Sequence, residues 1–311
     1  MTRRELLASA LAAAIARADS GAALLHLAAI NDEIGLTLEE TIAFAKQYGI
    51  QWLEMRSAQI PKKKQYCEGL PDAALRELKK QLSDNGLRVS VLDTSLLKFT
   101  LPGTVSVKKE DFYVRYFAEL GMNDDTLYRN RLDMLKRAIA VAQTLGARDI
   151  RIFAFWRVQD PKPIFQRIAG ILAEMADIAQ KEQSRLLIEN ETATNVCTSA
   201  ETAEMMSAVS SPALGINWDP QNAIALEPVP FPGGYAMLPK DRIGNVHVKA
   251  EGLLGPKHPL DWGAIMQQML RDGYAGKFSL ETHRGKDAAN VKVSHTCMEK
   301  MIRLVDGEAL H

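Results

Sequence analysis

From about residue 24, short apolar or β-branched runs alternate with longer stretches whose apolar residues recur at helical spacing. The runs "LLHLAAI" (24–30), "QWLEMR" (51–56), "LRVSVLD" (87–93), "DIRIFAF" (149–155), "RLLIEN" (185–190), "ALGINWD" (213–219), "GNVHVKA" (244–250) and "KFSLETH" (277–283) read as eight strands. Helical spacing occupies 37–49, 71–86, 125–146, 164–182, 199–209, 260–274 and 290–305. Thr37 is placed to cap the first of these, with Glu40 closing a capping box. Gly49, Gly86 and Gly146 stand where a helix should stop before the next strand. The connection after the sixth strand, "PQNAIALEPVPFPGGYAMLPKD", has no helical pattern and reads as a functional loop. Residues 94–123 are a long insertion after the third strand, expected over the mouth of the fold.

Strand–helix alternation with strands apolar on both faces implies a parallel sheet with right-handed crossovers. Eight such units fit a closed (β/α)8 TIM barrel better than an open doubly wound sheet, and no GxGxxG follows the first strand. The expectation is an α/β protein with one barrel domain over 23–311.

Composition narrows the function. Lys+Arg and Asp+Glu each count 38 in 311 residues, so no net field attracts nucleic acid or anionic lipid. Neither kind of partner is expected. Cys67, Cys197 and Cys297 are odd in number and far apart, which favours neither a disulfide framework nor a zinc knuckle. Residues 1–22 carry a twin arginine (Arg3, Arg4), an apolar run and Ala16-Arg17-Ala18 as a cleavage candidate. They read as a twin-arginine export signal directing the chain to the periplasm, or as an amphipathic N-terminal helix of a cytoplasmic protein. No other segment approaches the length of a membrane span.

In a barrel of this kind functional side chains gather where strands end at the C-terminal face. The last four expected strands bring Glu189, Asp219, His247 and Glu281 there, each about one strand–helix unit after the last. Three carboxylates and an imidazole at one height repel without a cation, and a single divalent ion resolves the conflict. Oxygen ligands with one nitrogen suit Mn²⁺, Mg²⁺ or Co²⁺, with Zn²⁺ also admissible. Singly, each of the four could equally be a satisfied polar residue in a barrel layer.

With these residues in place, "LLIEN", "INWDPQNA", "VHVKA" and "FSLETH" resemble the sugar phosphate isomerase/epimerase family of xylose isomerase-like barrels over most of 24–306. The resemblance implies that Glu189, Asp219, His247 and Glu281 bind one divalent ion. It also implies that Glu189 and Glu281 double as the acid/base pair that moves a proton beside the carbonyl of a keto sugar through an enediolate. The outcome would be isomerisation or epimerisation; elimination from a keto-inositol or a 3-keto-glycoside needs the same first step.

Glu54, Trp156, Arg157, Asn222, Lys249 and His258 are candidate substrate contacts. Asn222 stands where many relatives carry a histidine, Lys249 follows His247 by two on the same side of its strand, and Trp156 and Trp218 could wall a sugar ring. Barrel-mouth salt bridges and core packing are the competing readings for Glu54, Arg157 and the tryptophans. Glu191 is a candidate neighbour of the centre, and His26 reads as a core histidine within the first strand. No Gly-rich loop or arginine cluster marks a phosphate site, so the sugar is expected to be unphosphorylated. An apurinic endonuclease on this barrel would need a histidine-rich multi-metal site and a basic surface; six histidines and zero net charge point away from it. A non-catalytic sugar-binding barrel is the other alternative. Relatives often form dimers or tetramers, so the resemblance allows a homo-oligomer with 94–123 as a contact region.

Overall fold

The computed structural model describes residues 24–60, 63–255, 258–284 and 288–308; the N-terminal stretch read as an export signal lies outside them. Eight parallel strands close into a barrel in the order β1-β10-β9-β8-β7-β6-β5-β2. They are β1 (Leu27–Ile30), β2 (Trp52–Met55), β5 (Arg88–Asp93), β6 (Asp149–Ile152), β7 (Arg185–Glu189), β8 (Leu214–Trp218), β9 (Ile243–Lys249) and β10 (Lys277–Glu281). Closure comes from β1, which pairs with β10 (Leu27↔Phe278) and with β2 (Ala28↔Trp52). A two-stranded hairpin, β3 (Ser57–Ile60) with β4 (Lys63–Tyr66), follows β2 and was not expected.

The period-2 alternation of these strands sorts two interiors. On β7 to β10, Leu186, Ile188, Ile216, Trp218, Val246, Val248, Phe278 and Leu280 join the apolar shell under the helices. The intervening Glu189, Asn217, Asn245, His247 and Ser279 are buried polar residues of the lumen. The helices supply the other half of the shell. Helix Asp124–Leu145 buries Leu135, Ala138, Ile139, Val141, Ala142 and Leu145, then stops at Gly146, whose φ of 81° suits a residue without Cβ.

Thr37 caps helix Leu38–Tyr48 as expected, accepting from Glu40 N, but Glu40 Oε2 takes the amide of Leu36 rather than that of Thr37. The complete capping box belongs to helix Ser199–Ala208, between Thr198 and Glu201. Residues 94–123 lie along the C-terminal end of β6, where Leu96 O, Leu97 O and Phe99 O accept the amides of Phe153, Phe155 and Trp156. The segment contains its own helix, Asp111–Glu119. After β8 come the short helical turns Pro220–Ala223, Tyr235–Met237 and Lys240–Arg242 and the irregular turn Pro230–Gly234. His26 sits in a turn just before β1, half-buried, with Nδ1 3.3 Å from Gly276 O, so it belongs to the rim opposite the site and not to the strand core. Among the described residues no helix is long and apolar enough to cross a membrane.

Candidate metal centre

Glu189 ends β7, Asp219 follows β8, His247 lies within β9 and Glu281 ends β10. Each offers one ligand atom, and these atoms lie within 4.8 Å of one another. None of the four is more than 2% exposed.

Each side chain is held by its own supports. A reciprocal pair joins the ends of β7 and β8: Asp219 N donates to Asn190 Oδ1, and Asn190 Nδ2 to Asp219 O, both at 2.7 Å. Asp219 Oδ1 then accepts from Asn222 N at 3.0 Å and caps the turn Pro220–Ala223, leaving Oδ2 turned to the centre. Glu189 Oε2 meets the Arg151 guanidinium at 3.1 Å, and Oε1 accepts from Asn222 Nδ2 at 3.0 Å. Glu281 Oε1 faces Arg56 at 3.7 Å and His283 at 3.4 Å, and Oε2 faces His247 Nδ1 at 3.1 Å. The same Nδ1 is 3.7 Å from Glu189 Oε1.

Three carboxylates this close would cost about 3 kcal/mol per pair at an effective dielectric near 20. The protein's own cations offset part of that. Burial opposes ionisation of Glu189, yet Arg151 and His247 bring its carboxyl down to about 2. Glu281 is likewise held well below the ordinary range against burial by His283, Lys249 and His247. Burial works against the His247 imidazolium, but Glu54, Glu281 and Glu189 hold it well above the usual histidine value. Asp219 is pushed up by burial, with Lys249 only partly compensating.

Asp219 Oδ2 and Glu281 Oε2 accept no hydrogen bond. They meet Lys249 Nζ as ion-pair partners at 2.7 and 3.5 Å. Two buried oxygens without hydrogen bonds, beside a carboxylate and an imidazole nitrogen, fit a divalent cation, and the donor set suits Mn²⁺, Mg²⁺, Co²⁺ or Zn²⁺.

The other expected contacts divide. Lys249 and Asn222 are at the centre, with Lys249 Nζ donating to Asn222 Oδ1 at 2.6 Å. Glu54 is fully buried in the lumen, its Oε2 3.0 Å from His247 Nε2. Arg157 is turned to Glu201 (2.7 Å) and Thr194 O (3.1 Å), so it braces the capping box of helix Ser199–Ala208 instead of facing the cavity. His258 lines an outer cleft with Gly252, Leu254, Trp262 and Lys300, its Nδ1 accepting from Leu260 N, away from the four ligands. Trp156 is buried beneath the insert with Tyr113 6.3 Å away, while Trp218 points outward against Tyr235 and is no wall for a sugar. Glu191 does reach the rim, 3.4 Å from Asn222 Nδ2 and 4.0 Å from Lys98 Nζ.

Three residues beside the four ligand candidates, Arg56, Arg151 and His283, and Lys98 at the rim next to Glu191 were missing from the sequence reading. Arg151 had a signal, a charge in mid-strand two positions before Phe153 and therefore on the lumen side. Lys98 lies in the insert, where no periodicity marks a face.

Fold and centre together define a (β/α)8 barrel with a candidate divalent-metal site at the C-terminal ends of its strands. Residues 42–301 match the family model of the xylose isomerase-like TIM barrel, and the chain belongs to that family. Among solved structures, L-ribulose 3-epimerase is similar over 89% of this chain and 95% of its own, at 18% identity and a TM-score of 0.63. The 3-keto-D-glucoside 4-epimerase YcjR from E. coli is similar over 87% and 97%, at 15% identity and 0.64. The IOLI protein, solved with a binding zinc atom, is similar over 89% and 96%, at 15% identity and 0.63. At these identities the likeness is one of fold. No curated protein matches the chain in sequence.

Proposed function

We propose that this protein is a divalent-metal-dependent isomerase or epimerase acting on an unphosphorylated keto sugar. The observation that carries the reading is the approach of Glu189 and Glu281, from β7 and β10, to the same imidazole nitrogen of His247. Two strands lie between β7 and β10 in the barrel, so the two carboxylates enter the lumen from different sides. One can take a proton from a carbon beside the carbonyl and the other can return one, to the opposite face or to the neighbouring carbon. The ion, when bound, polarises the carbonyl and stabilises the negative charge that develops as the C–H bond breaks.

The remaining work belongs to the chain. Arg151 keeps Glu189 ionised and oriented, Asn222 fixes its second oxygen, and Lys249 presents an ammonium at the mouth to a substrate hydroxyl or carbonyl oxygen. Among the described residues, Arg56, Lys98, Arg151 and Lys249 each face at least one carboxylate, which leaves none of these four cations free for a phosphate. This supports a neutral substrate, as do the epimerase activities named for two of the similar structures. The twin-arginine stretch supports handling of that sugar outside the cytoplasm, which cell fractionation would test.

The deciding experiment is proton NMR in deuterium oxide with a panel of ketoses, keto-inositols and 3-keto-glycosides. Deuterium entering a carbon next to a carbonyl, with a new stereoisomer or positional isomer formed, supports the proposal. Loss of water from the product would instead name a lyase, and no exchange with any member would leave a binding protein.

A further inference from the structure

Within that metal reading, we propose that Glu54 is the positioning residue of the centre: its carboxylate accepts Nε2–H of His247 and so commits Nδ1 to the ion. His247 Nε2 lies 3.0 Å from Glu54 Oε2, while Nδ1 is the nitrogen that faces Glu281 and Glu189. A neutral imidazole carries one proton, and whichever nitrogen holds it cannot ligate. A carboxylate on Nε2 therefore chooses the tautomer that leaves Nδ1 free.

The acceptor is itself fixed. Glu54 Oε1 accepts from Asn245 Nδ2, and Asn245 also donates to Asn217 Oδ1 at 2.7 Å. Asn245 precedes His247 by two on β9, so ring and carboxylate are oriented from one strand, with Glu54 reaching across the lumen from β2. Both Glu54 and His247 are fully buried, and water does not compete for the bond.

Glu54, Asp93 and His247 also bring ligand atoms within 4.8 Å of one another, which raises the competing case of a second ion. Arg151 already supplies a cation there, 3.3 Å from Asp93 Oδ2. That guanidinium balances Asp93, and Glu54 has both oxygens engaged, by His247 Nε2 and Asn245 Nδ2, so the hydrogen bond is the better assignment.

The test uses the full chain, stripped with a chelator and loaded with Zn²⁺, with ¹⁵N-labelled histidine. The imidazole whose signals shift on zinc addition should show Nε2 protonated and Nδ1 bound. In Glu54→Gln the side chain keeps its shape but offers either an amide oxygen or an amide NH2 to Nε2, so the tautomer is no longer dictated. Zinc affinity should fall about 10- to 100-fold at unchanged one-to-one stoichiometry. Zinc on Nε2 in the wild type, equal affinity in the variant, or a second equivalent lost in the variant would each overturn the assignment. Because the tautomer is read on the wild type, zinc found on Nε2 there overturns the proposal even if the variant does not fold. A wild-type chain that binds no zinc at neutral pH removes the metal reading itself, which is a different failure from a wild type that binds one ion through Nε2.

Discussion

Glu68 offers a test of the electrostatic reasoning that does not depend on the metal. It borders a cleft of about 460 Å³ shared with Thr94, Ser95, Tyr116 and Arg137, and its Oε2 is buried without a hydrogen bond. Burial pushes its carboxyl up to about 7, with Arg151 and Arg137 only partly opposing, from an ordinary value of 4.5. Below pH 4.5 both folded and unfolded chains hold the proton and no cost arises. Between 4.5 and 7 the unfolded chain ionises first, folding takes up a proton, and stability falls; above 7 the full cost is present. That gap corresponds to about 3 kcal/mol, which solvent access at this half-buried residue lowers to about 2 kcal/mol. Glu68→Gln keeps the shape and removes the charge. We expect it to raise the urea unfolding free energy by about 2 kcal/mol at pH 8 and by less than about 1 kcal/mol at pH 5, followed by far-ultraviolet circular dichroism with chelator present. Equal stability at pH 8, or a gain that grows on acidification, would refute the reasoning.

Other consequences follow from the same geometry. Glu281→Gln should lower kcat by about 10²- to 10⁴-fold on whatever substrate the exchange assay identifies; wild-type turnover at full metal occupancy would remove Glu281 from the proton-transfer role. Lys249→Met leaves Asp219 and Glu281 without their ammonium and should destabilise the metal-free protein by about 3 kcal/mol, and the metal-loaded protein by clearly less. The same loss in both forms, measured by chemical denaturation, would mean that the ion and the ammonium do not share those oxygens. Arg157→Ala should cost about 1–2 kcal/mol through its bonds to Glu201 and Thr194 while leaving turnover within about twofold, and a large fall in kcat would return Arg157 to the site.

The barrel was legible because its strands carry dense β-branched and apolar runs, and all eight appear within a few residues of their expected bounds. The four ligand candidates were legible for a related reason: a carboxylate or imidazole at the end of an apolar run has few explanations other than a site. The hairpin Ser57–Tyr66 was not, because "SAQI" and "KKQY" lack both the β-branched content and the alternation that mark a half-buried strand. Side-chain direction was the other gap. Glu54 and Arg157 both flank strand ends, but the lumen claims one for His247, and the other turns to Glu201 because that carboxylate stands at the neighbouring helix start. Arg56 and His283 escaped notice because their value lies in contacts across the chain, of Arg56 with Glu33 and Glu281 and of His283 with Glu33, that spacing along the sequence does not encode.

The central claim is that Glu189, Asp219, His247 and Glu281 hold one divalent ion. The most direct measurement is a crystal structure of the full chain soaked in Mn²⁺, with the ion located by anomalous scattering. The account predicts one strong peak about 2.0–2.4 Å from one carboxylate oxygen each of Glu189, Asp219 and Glu281 and from Nδ1 of His247. An empty centre with those carboxylates ionised, or a peak bound elsewhere in the barrel, would contradict it.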